Sequence, residues 1–403
     1  MALTHWQAGH RQVLVSHKPG AITVSLTESE LVTYDLAGRF LGAYDHGTNI
    51  RRGLDNTFQK RWRVGAQDGQ HLRQSNLTAP EANTYLEGLR VRVAGLLEDQ
   101  AAAQSHPATA QALKRAVGFT YDRLVTDAAT FTGLYGHIPI LPPDQYRALV
   151  VQATDGCSYN RCTFCTLYRD KTYQVRSAED FRRHLEAVLG FMGRGLSYRI
   201  SLFLGDANAI AIPTPRLVEI MHILHDTALL RPILERGGIH AFLDIYTGMH
   251  KSAADYRRLH ALGLRRVSLG VESGSEALLS YVQKPVTRQD MVSVMTNLKN
   301  GGLAVVVIFM VGLGGSTYRD VHLTESAALV ETLPLSKGDV IYLSQFTPDP
   351  QAPYRPLAAE SGLQDMTSDE ISRETKRWKG VLEGRIAVKG VKVAPYSFQR
   401  FIY

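Results

Sequence analysis

Cysteine is among the scarcest residues in this chain of 403: there are three, Cys157, Cys162 and Cys165, and all fall within nine positions. So few thiols, odd in number and so close together, exclude a dispersed disulfide framework and point to a reducing compartment. Long apolar runs are also missing. The longest, "LAVVVIFMVGL" from Leu303 to Leu313, falls short of the roughly 18 residues a membrane span needs. The opening "MALTHWQAGH" has no apolar secretion core. These absences place the chain in the cytoplasm with no membrane partner. Solenoid repeats and low-complexity segments are absent too.

What is present is an ordinary globular composition, 44% hydrophobic and 21% charged, with 45 Lys plus Arg against 38 Asp plus Glu, a formal net charge of +7. That balance favours acidic partners without naming one. The densest basic stretch, "RRGLDNTFQKRWR" (51–63), interleaves Phe58 and Trp62 with Arg51, Arg52, Lys60, Arg61 and Arg63. It reads as a solvated face, with a nucleic-acid surface as the alternative.

Residues 1–140 read as a smaller N-terminal α+β domain. "AITVSLT" and "LVTYDLAGRFLGAYDHG" predict a small meander or hairpin turning near Ala37 and Gly38. Thr78-Ala79-Pro80-Glu81 predicts a capping box at the start of a helix, and a second helix follows Pro107. "GHIPILPPD" (136–144) marks a domain boundary. Beyond it, six short runs apolar at nearly every position alternate with helical patterns: "ALVVQA", "ISLFLG", "HAFLDIY", "RVSLGVE", "AVVVIFMVG" and "VIYLSQ". Such strands belong to a parallel sheet covered by helices. Six units predict a partial (β/α)6 TIM-like barrel over 145–346, because a closed barrel needs eight. Residues 347–403 form a C-terminal extension: a loop at "TPDPQAPYRPLA" able to cover the barrel mouth, a helix capped by Thr367 or Ser368, and a basic, aromatic end at "KVAPYSFQRFIY" with the character of a last strand.

The cysteines follow the first strand, at the carboxyl end of the sheet, where α/β barrels carry their chemistry. Three thiolates leave one iron of a four-iron cluster without a protein ligand. A structural zinc completed by histidine is the alternative. His137 and His184 are the nearest candidates in sequence, and no second paired-cysteine knuckle exists. Three buried unligated cysteines are a third reading.

"CSYNRCTFC" resembles the signature loop of the radical S-adenosylmethionine superfamily. It keeps the two-residue second gap ending in an aromatic, Phe164, and has one residue more than the usual three in the first gap. The resemblance runs on from Tyr146 to Gln345. "LFLGDAN" resembles the Gly-Gly-Glu motif that holds the cofactor's methionyl amino group, at Gly205 and Asp206; the alternative for Asp206 is a helix N-cap. "SLGVESGSEALL" is similar to the ribose- and methionyl-contacting stretch of coproporphyrinogen dehydrogenase-like and methylthiotransferase-like members, with Glu272 and Ser273 as contacts. The alternative for Glu272 is an ion pair with Arg265 or Arg266. "IFMVGLGGST" resembles the adenine-contact region at Val311 and Gly312. Its spacing fails a dinucleotide loop, since Thr317 stands where the third glycine belongs. Tyr246, Thr247 and His250 at the third strand end are possible substrate contacts.

The resemblance implies a [4Fe–4S] cluster on the three cysteines, S-adenosylmethionine on the open iron, and reductive cleavage to a 5′-deoxyadenosyl radical that abstracts hydrogen. It also implies a low-potential electron donor such as a flavodoxin or ferredoxin. No cysteine remains for a second cluster or a methyl carrier, and the Asp-x-His-x-x-Gly pattern of cobalamin domains is absent. The expected substrate is a small or anionic molecule. RNA modification through the basic stretch is the rival reading, and a non-enzymatic zinc protein is the remaining one.

Overall fold

The computed structural model describes residues 2–8, 11–64, 71–284, 286–397 and 401–403. The chain divides into two compact units, one of residues 1–138, 185–200 and 402–403, the other of 139–184 and 201–401.

The first unit is built on an eight-stranded antiparallel meander in chain order. Its strands are β1 (Ala2–Ala8), β2 (Arg11–Lys18), β3 (Ala21–Thr27), β4 (Glu30–Asp35), β5 (Phe40–Asp45), β6 (Thr48–Arg52), β7 (Phe58–Val64) and β8 (His71–Asn76). The sheet is far larger than the hairpin that β3 to β5 alone suggest. Four helices follow: α1 (Ala79–Leu96), α2 (Gln100–Ser105), α3 (Pro107–Val117) and α4 (Tyr121–Tyr135). The capping box forms as the sequence predicts, the Thr78 amide donating to the Glu81 carboxylate at 2.7 Å. Trp6, Val15, Val24, Val32, Phe40 and Phe58 pack with Leu86, Val93, Leu113 and Leu124 in one core.

The basic stretch is only partly a solvated face. Arg52 and Phe58 are buried. Arg52 donates to Asn56 Oδ1 at 2.8 Å and to the Leu124 carbonyl at 3.1 Å, and lies 3.7 Å from Asp127. Asp127 also takes the Arg39 guanidinium. A buried charge must be paired or hydrogen-bonded, and Arg52 is both, so it belongs to the core of this unit.

In the second unit, β9 (Ala148–Gln152) leads into a pair of two-residue strands, β10 (Thr154–Asp155) and β11 (Gln174–Val175), and then α5 (Ala178–Met192), whose residues from Leu185 onward are counted with the first unit. The pattern continues with β12 (Ser201–Gly205), α6 (Thr214–Asp226), α7 (Arg231–Gly237), β13 (Ile239–Leu243), α8 (Ile245–Gly248), α9 (Ala253–Ala261) and β14 (Leu264–Glu272). Then come α10 (Glu276–Tyr281), α11 (Arg288–Asn300), β15 (Ala304–Val311), α12 (Arg319–Thr332) and β16 (Val340–Gln345). All six predicted core strands are present and parallel. Each pairs with its sequence neighbour, in the order β9-β12-β13-β14-β15-β16. This unreversed order is that of an open, partial barrel and not of a doubly wound sheet.

The C-terminal segment adds α13 (Tyr354–Glu360), α14 (Ser368–Arg385) and β17 (Lys392–Tyr396). Thr367 caps α14, its amide bonded to Glu370 at 2.8 Å. Strand β17 pairs parallel with β16, making a seventh strand at the sheet edge. Pro395 is tolerated there because an edge strand need not donate on its open side. Part of the predicted last segment, residues 398–400, lies outside the described residues. No helix among the described residues is long and apolar enough to cross a membrane.

Candidate active site

The cysteine segment leaves β9 and is closed at its base by the β10–β11 hairpin, where Thr154 pairs with Val175 and Asp155 with Gln174. Arg176 reinforces that base with a 2.8 Å bond to Asp155. Gly156 takes φ +77°, and a Cβ on it would stand 3.3 Å from the Lys171 Cβ, so the two ends of the segment meet at a position suited to glycine.

Inside the segment, Arg169 donates to the Cys162 carbonyl at 2.7 Å and the Cys165 carbonyl at 3.1 Å. Asn160, with φ +48°, donates to the Tyr168 carbonyl at 2.7 Å. Outward, the Thr163 amide donates to the Val282 carbonyl and the Tyr354 amide to the Thr163 carbonyl, both at 3.0 Å. The Tyr159 hydroxyl donates to the Gln283 carbonyl at 2.7 Å, and Thr166 Oγ1 to Asp349 at 2.6 Å. Phe164 packs against the cluster of Leu278, Val282, Leu313, Phe346 and Tyr354. A loop without regular structure is thus held by backbone and side-chain bonds along its whole length.

All three cysteines line one cavity of about 290 Å³ at the carboxyl ends of the parallel strands. Its wall is mainly apolar and aromatic, with Phe164, Tyr168, Phe242, Ile308, Met310 and Tyr396 among the contributors. Burial pushes the Cys162 thiol up to about 12 and raises Cys165 as well. Thiolates in such a setting require a cation to stabilise them, as a metal or cluster does.

The donor set fits an iron–sulfur cluster better than a lone zinc. Tetrahedral zinc with bonds of about 2.3 Å holds its sulfurs about 3.8 Å apart. Among the described residues, the one group of three whose ligand atoms all lie within 4.8 Å is Glu30, Asp45 and His46, so the three thiols are spread wider than that. His184 is not a fourth ligand. Its Nε2 accepts the Gln152 amide at 3.1 Å, and burial, followed by Arg176, pulls the ring down to about 4.

Phe164 and Glu272 join the cysteines at the cavity. Glu272 ends β14 with φ +64°, a conformation uncommon for a residue with a side chain, next to a register shift in the pairing with β15. Its partner is not an arginine. Lys284 Nζ sits 2.9 Å from Glu272 Oε1 and donates to the Gly270 carbonyl at 2.7 Å, while Arg266 pairs with Asp144 and Arg265 bonds the His260 carbonyl. Burial alone lowers a lysine, yet the Glu272 carboxylate and Cys162 outweigh it and hold the Lys284 ammonium above its usual value.

Gly205, Asp206, Ser273, Val311 and Gly312 are not among the residues lining the cavity. The Gly205 carbonyl takes the Ala153 amide at 2.6 Å, and Ser273 Oγ takes the Ser275 amide at 2.9 Å. The Val311 carbonyl takes the Phe346 amide, and a Cβ on Gly312 would meet Ile371 of α14. Asp206 is no helix cap: Asn208, not Asp206, precedes the short helical turn that follows. It is buried, accepts from Gly156 N at 3.4 Å and Lys171 at 3.2 Å, and takes the Tyr168 hydroxyl; burial still raises its carboxyl.

At the third strand end Tyr246 lines the cavity mouth, half exposed, with its ring 6.1 Å from Tyr159 and 6.2 Å from His250. Thr247 is occupied in a polar network with Asp244, Asn208 and Ser158. Asp244, Asn208 and Ser158 of that network, with Lys284, Arg169 and Lys171, were not singled out from the sequence. Asn208, Ser158, Lys284 and Lys171 act across separations of 12 residues or more, and Arg169 acts within its own loop without a spacing signal. Only Asp244, capping α8 through the Thr247 amide at 2.7 Å, has a readable signature.

A family model described as the radical SAM superfamily matches residues 151–327. No curated protein matches the chain. Solved structures with a similar course include a radical S-adenosylmethionine methyltransferase, TsrM, from Kitasatospora setae with cobalamin and a [4Fe–4S] cluster bound. The identity is 18%, covering 54% of this chain and 38% of that one, with a TM-score of 0.39. A radical SAM methyltransferase from Sphaerobacter thermophilus gives 15%, 64%, 68% and 0.43 in the same order. Methylornithine synthase (PylB) gives 14%, 65%, 76% and 0.40.

Proposed function

The chain carries a radical SAM domain over residues 151–327, and on that premise we propose that it is a single-cluster radical S-adenosylmethionine enzyme acting by hydrogen abstraction on a small molecule. The observation that carries this reading is the convergence of Cys157, Cys162 and Cys165, and no fourth cysteine, on one cavity at the strand ends. The residues that would hold a [4Fe–4S] cluster are these three, leaving one iron for the cofactor. The chemistry such a pair supplies when bound is one-electron cleavage of the sulfonium to methionine and a 5′-deoxyadenosyl radical, which takes hydrogen from carbon.

The protein's own part is to hold, orient and exclude water. Arg169 donates to the Cys162 and Cys165 carbonyls and ties them together. Phe164, anchored in its apolar cluster, stiffens the gap between the second and third thiols. Glu272 offers carboxylate oxygens to a ribose or ammonium group, oriented by Lys284. The aromatic and aliphatic wall keeps water away from a reactive radical.

Among the described residues the charged lining is Asp244, Glu272, Asp349 and Lys284, and the Lys284 cation is taken up by Glu272 and Gly270. This supports a substrate with an apolar face more than a polyanion; the net positive charge of the chain resides elsewhere. Arg161 and Arg169, both exposed on the cysteine segment, suit an acidic low-potential donor of the flavodoxin or ferredoxin kind. The RNA reading loses support from Arg52, which is buried.

The test is anaerobic incubation of the reconstituted chain with dithionite and S-adenosylmethionine. The expected result is release of 5′-deoxyadenosine and methionine, abolished in Cys157→Ala, Cys162→Ala and Cys165→Ala. No release from iron-loaded protein would overturn the proposal.

A further inference from the structure

We infer that Asp206 is the clasp of the cysteine segment, a positioning residue that holds the three thiols in register before any cluster is present, and not a ligand of the cofactor's amino group. One carboxylate collects donors from both flanks of the segment. Gly156 N, at 3.4 Å, belongs to the residue just before Cys157. The Tyr168 hydroxyl and Lys171 Nζ, at 3.2 Å, lie beyond Cys165.

The geometry leaves Asp206 little freedom for another task. Its own amide donates to Thr154 Oγ1 at 3.0 Å, fixing the backbone against the start of the segment. Its side chain is 6% exposed and does not line the cavity, whereas the next residue, Ala207, does. Lys171 and Tyr168 supply a cation and a hydroxyl to a buried carboxylate that would otherwise be costly. Because the same oxygen, Oδ2, accepts from Gly156 and Lys171, releasing it loosens the entry and the exit of the segment together.

Pre-organisation of this kind lowers the entropy lost when a ligand is captured. A drawn-together segment presents its three thiols to an incoming cluster as one site, and an undrawn one presents three separate residues. Arg169, bonded to the Cys162 and Cys165 carbonyls, shapes the segment from within. Asp206 closes it from outside.

The relevance to cluster capture rests on the reading given above; the clasp itself is built from contacts among this chain's own residues. The experiment is therefore made on full-length apo protein under anaerobic, reducing conditions, following alkylation of each cysteine by iodoacetamide with mass spectrometry. Asp206→Asn and Lys171→Met are each expected to accelerate alkylation about tenfold, the effect of losing one charge-assisted bond of about 1.4 kcal/mol. The double variant is expected to do no more than Asp206→Asn alone, since the Lys171 contact is one of those that Asp206 makes. Lys171→Arg restores the slow rate. The urea midpoint of Lys171→Met stays close to wild type, which separates local opening from general destabilisation.

Unchanged alkylation in folded Lys171→Met overturns the inference, and that variant decides the matter even if Asp206→Asn fails to fold. Additive effects in the double variant would also overturn it. Iron uptake by the wild type is measured in parallel. If it is nil, the cluster reading fails while the alkylation comparison still stands or falls by itself.

Discussion

Acidification should weaken the second unit through His184. The ring is buried and its Nε2 accepts the Gln152 amide at 3.1 Å, so Nε2 carries a lone pair and the proton sits on Nδ1. Protonation would set an N–H against an N–H at the end of β9, directly before the cysteine segment. Burial first, and the Arg176 charge second, hold the folded ring at about 4 against the ordinary 6.5 of a solvated histidine. The unfolded chain therefore binds more protons than the folded one between those values, and stability falls as pH drops through that window. Linkage gives a loss of about 2 kcal/mol between pH 7.5 and 5.0, reaching about 3 kcal/mol at pH 4. The assay is urea unfolding of the reduced apo protein at both pH values, compared with His184→Gln, whose amide oxygen can accept the same bond and does not titrate. Groups common to both proteins, including the buried His322, cancel in the difference. The wild type should lose about 2 kcal/mol more than the variant on acidification. A differential below about 0.5 kcal/mol would refute the assignment of a neutral, accepting His184.

Two further substitutions test the charge placements. Lys284→Met strands the Glu272 carboxylate at a largely buried position and should cost about 3 kcal/mol, while adding Glu272→Gln should recover at least half; equal urea midpoints for wild type and the single variant would contradict the pair. Arg52→Met removes the donor to Asn56, Leu124 and Asp127 and should cost about 2 to 3 kcal/mol. A melting temperature equal to that of the wild type would return Arg52 to the surface.

The parts of the fold that were legible are those where one physical effect dominates. The six core strands read clearly because both faces are covered: β9 and β12 are buried at every position, so the apolar run is continuous. Strand β17 gave no such run, since "KVAPY" lies at the edge with a proline and exposed positions. In the first unit, β6 places Arg52 at an inward position, which breaks the apolar alternation and made a core strand look like a basic surface. The thiol segment was readable from spacing alone. Its supports were not: Asp206 reaches back to Gly156 and Lys171, and Lys284 to Glu272, across separations where only the folded chain makes neighbours. The alternative for Glu272, an ion pair with Arg265 or Arg266, rested on their nearness in sequence, but on a strand those side chains are directed elsewhere, Arg266 to Asp144.

The most direct test of the central claim is metal and acid-labile sulfide analysis of the full chain purified without oxygen. Three cysteines holding one cluster predict a brown protein with about four irons and four sulfides per chain, falling steeply when any one of Cys157, Cys162 or Cys165 is replaced by alanine. A colourless protein with about one zinc per chain and no sulfide would contradict it.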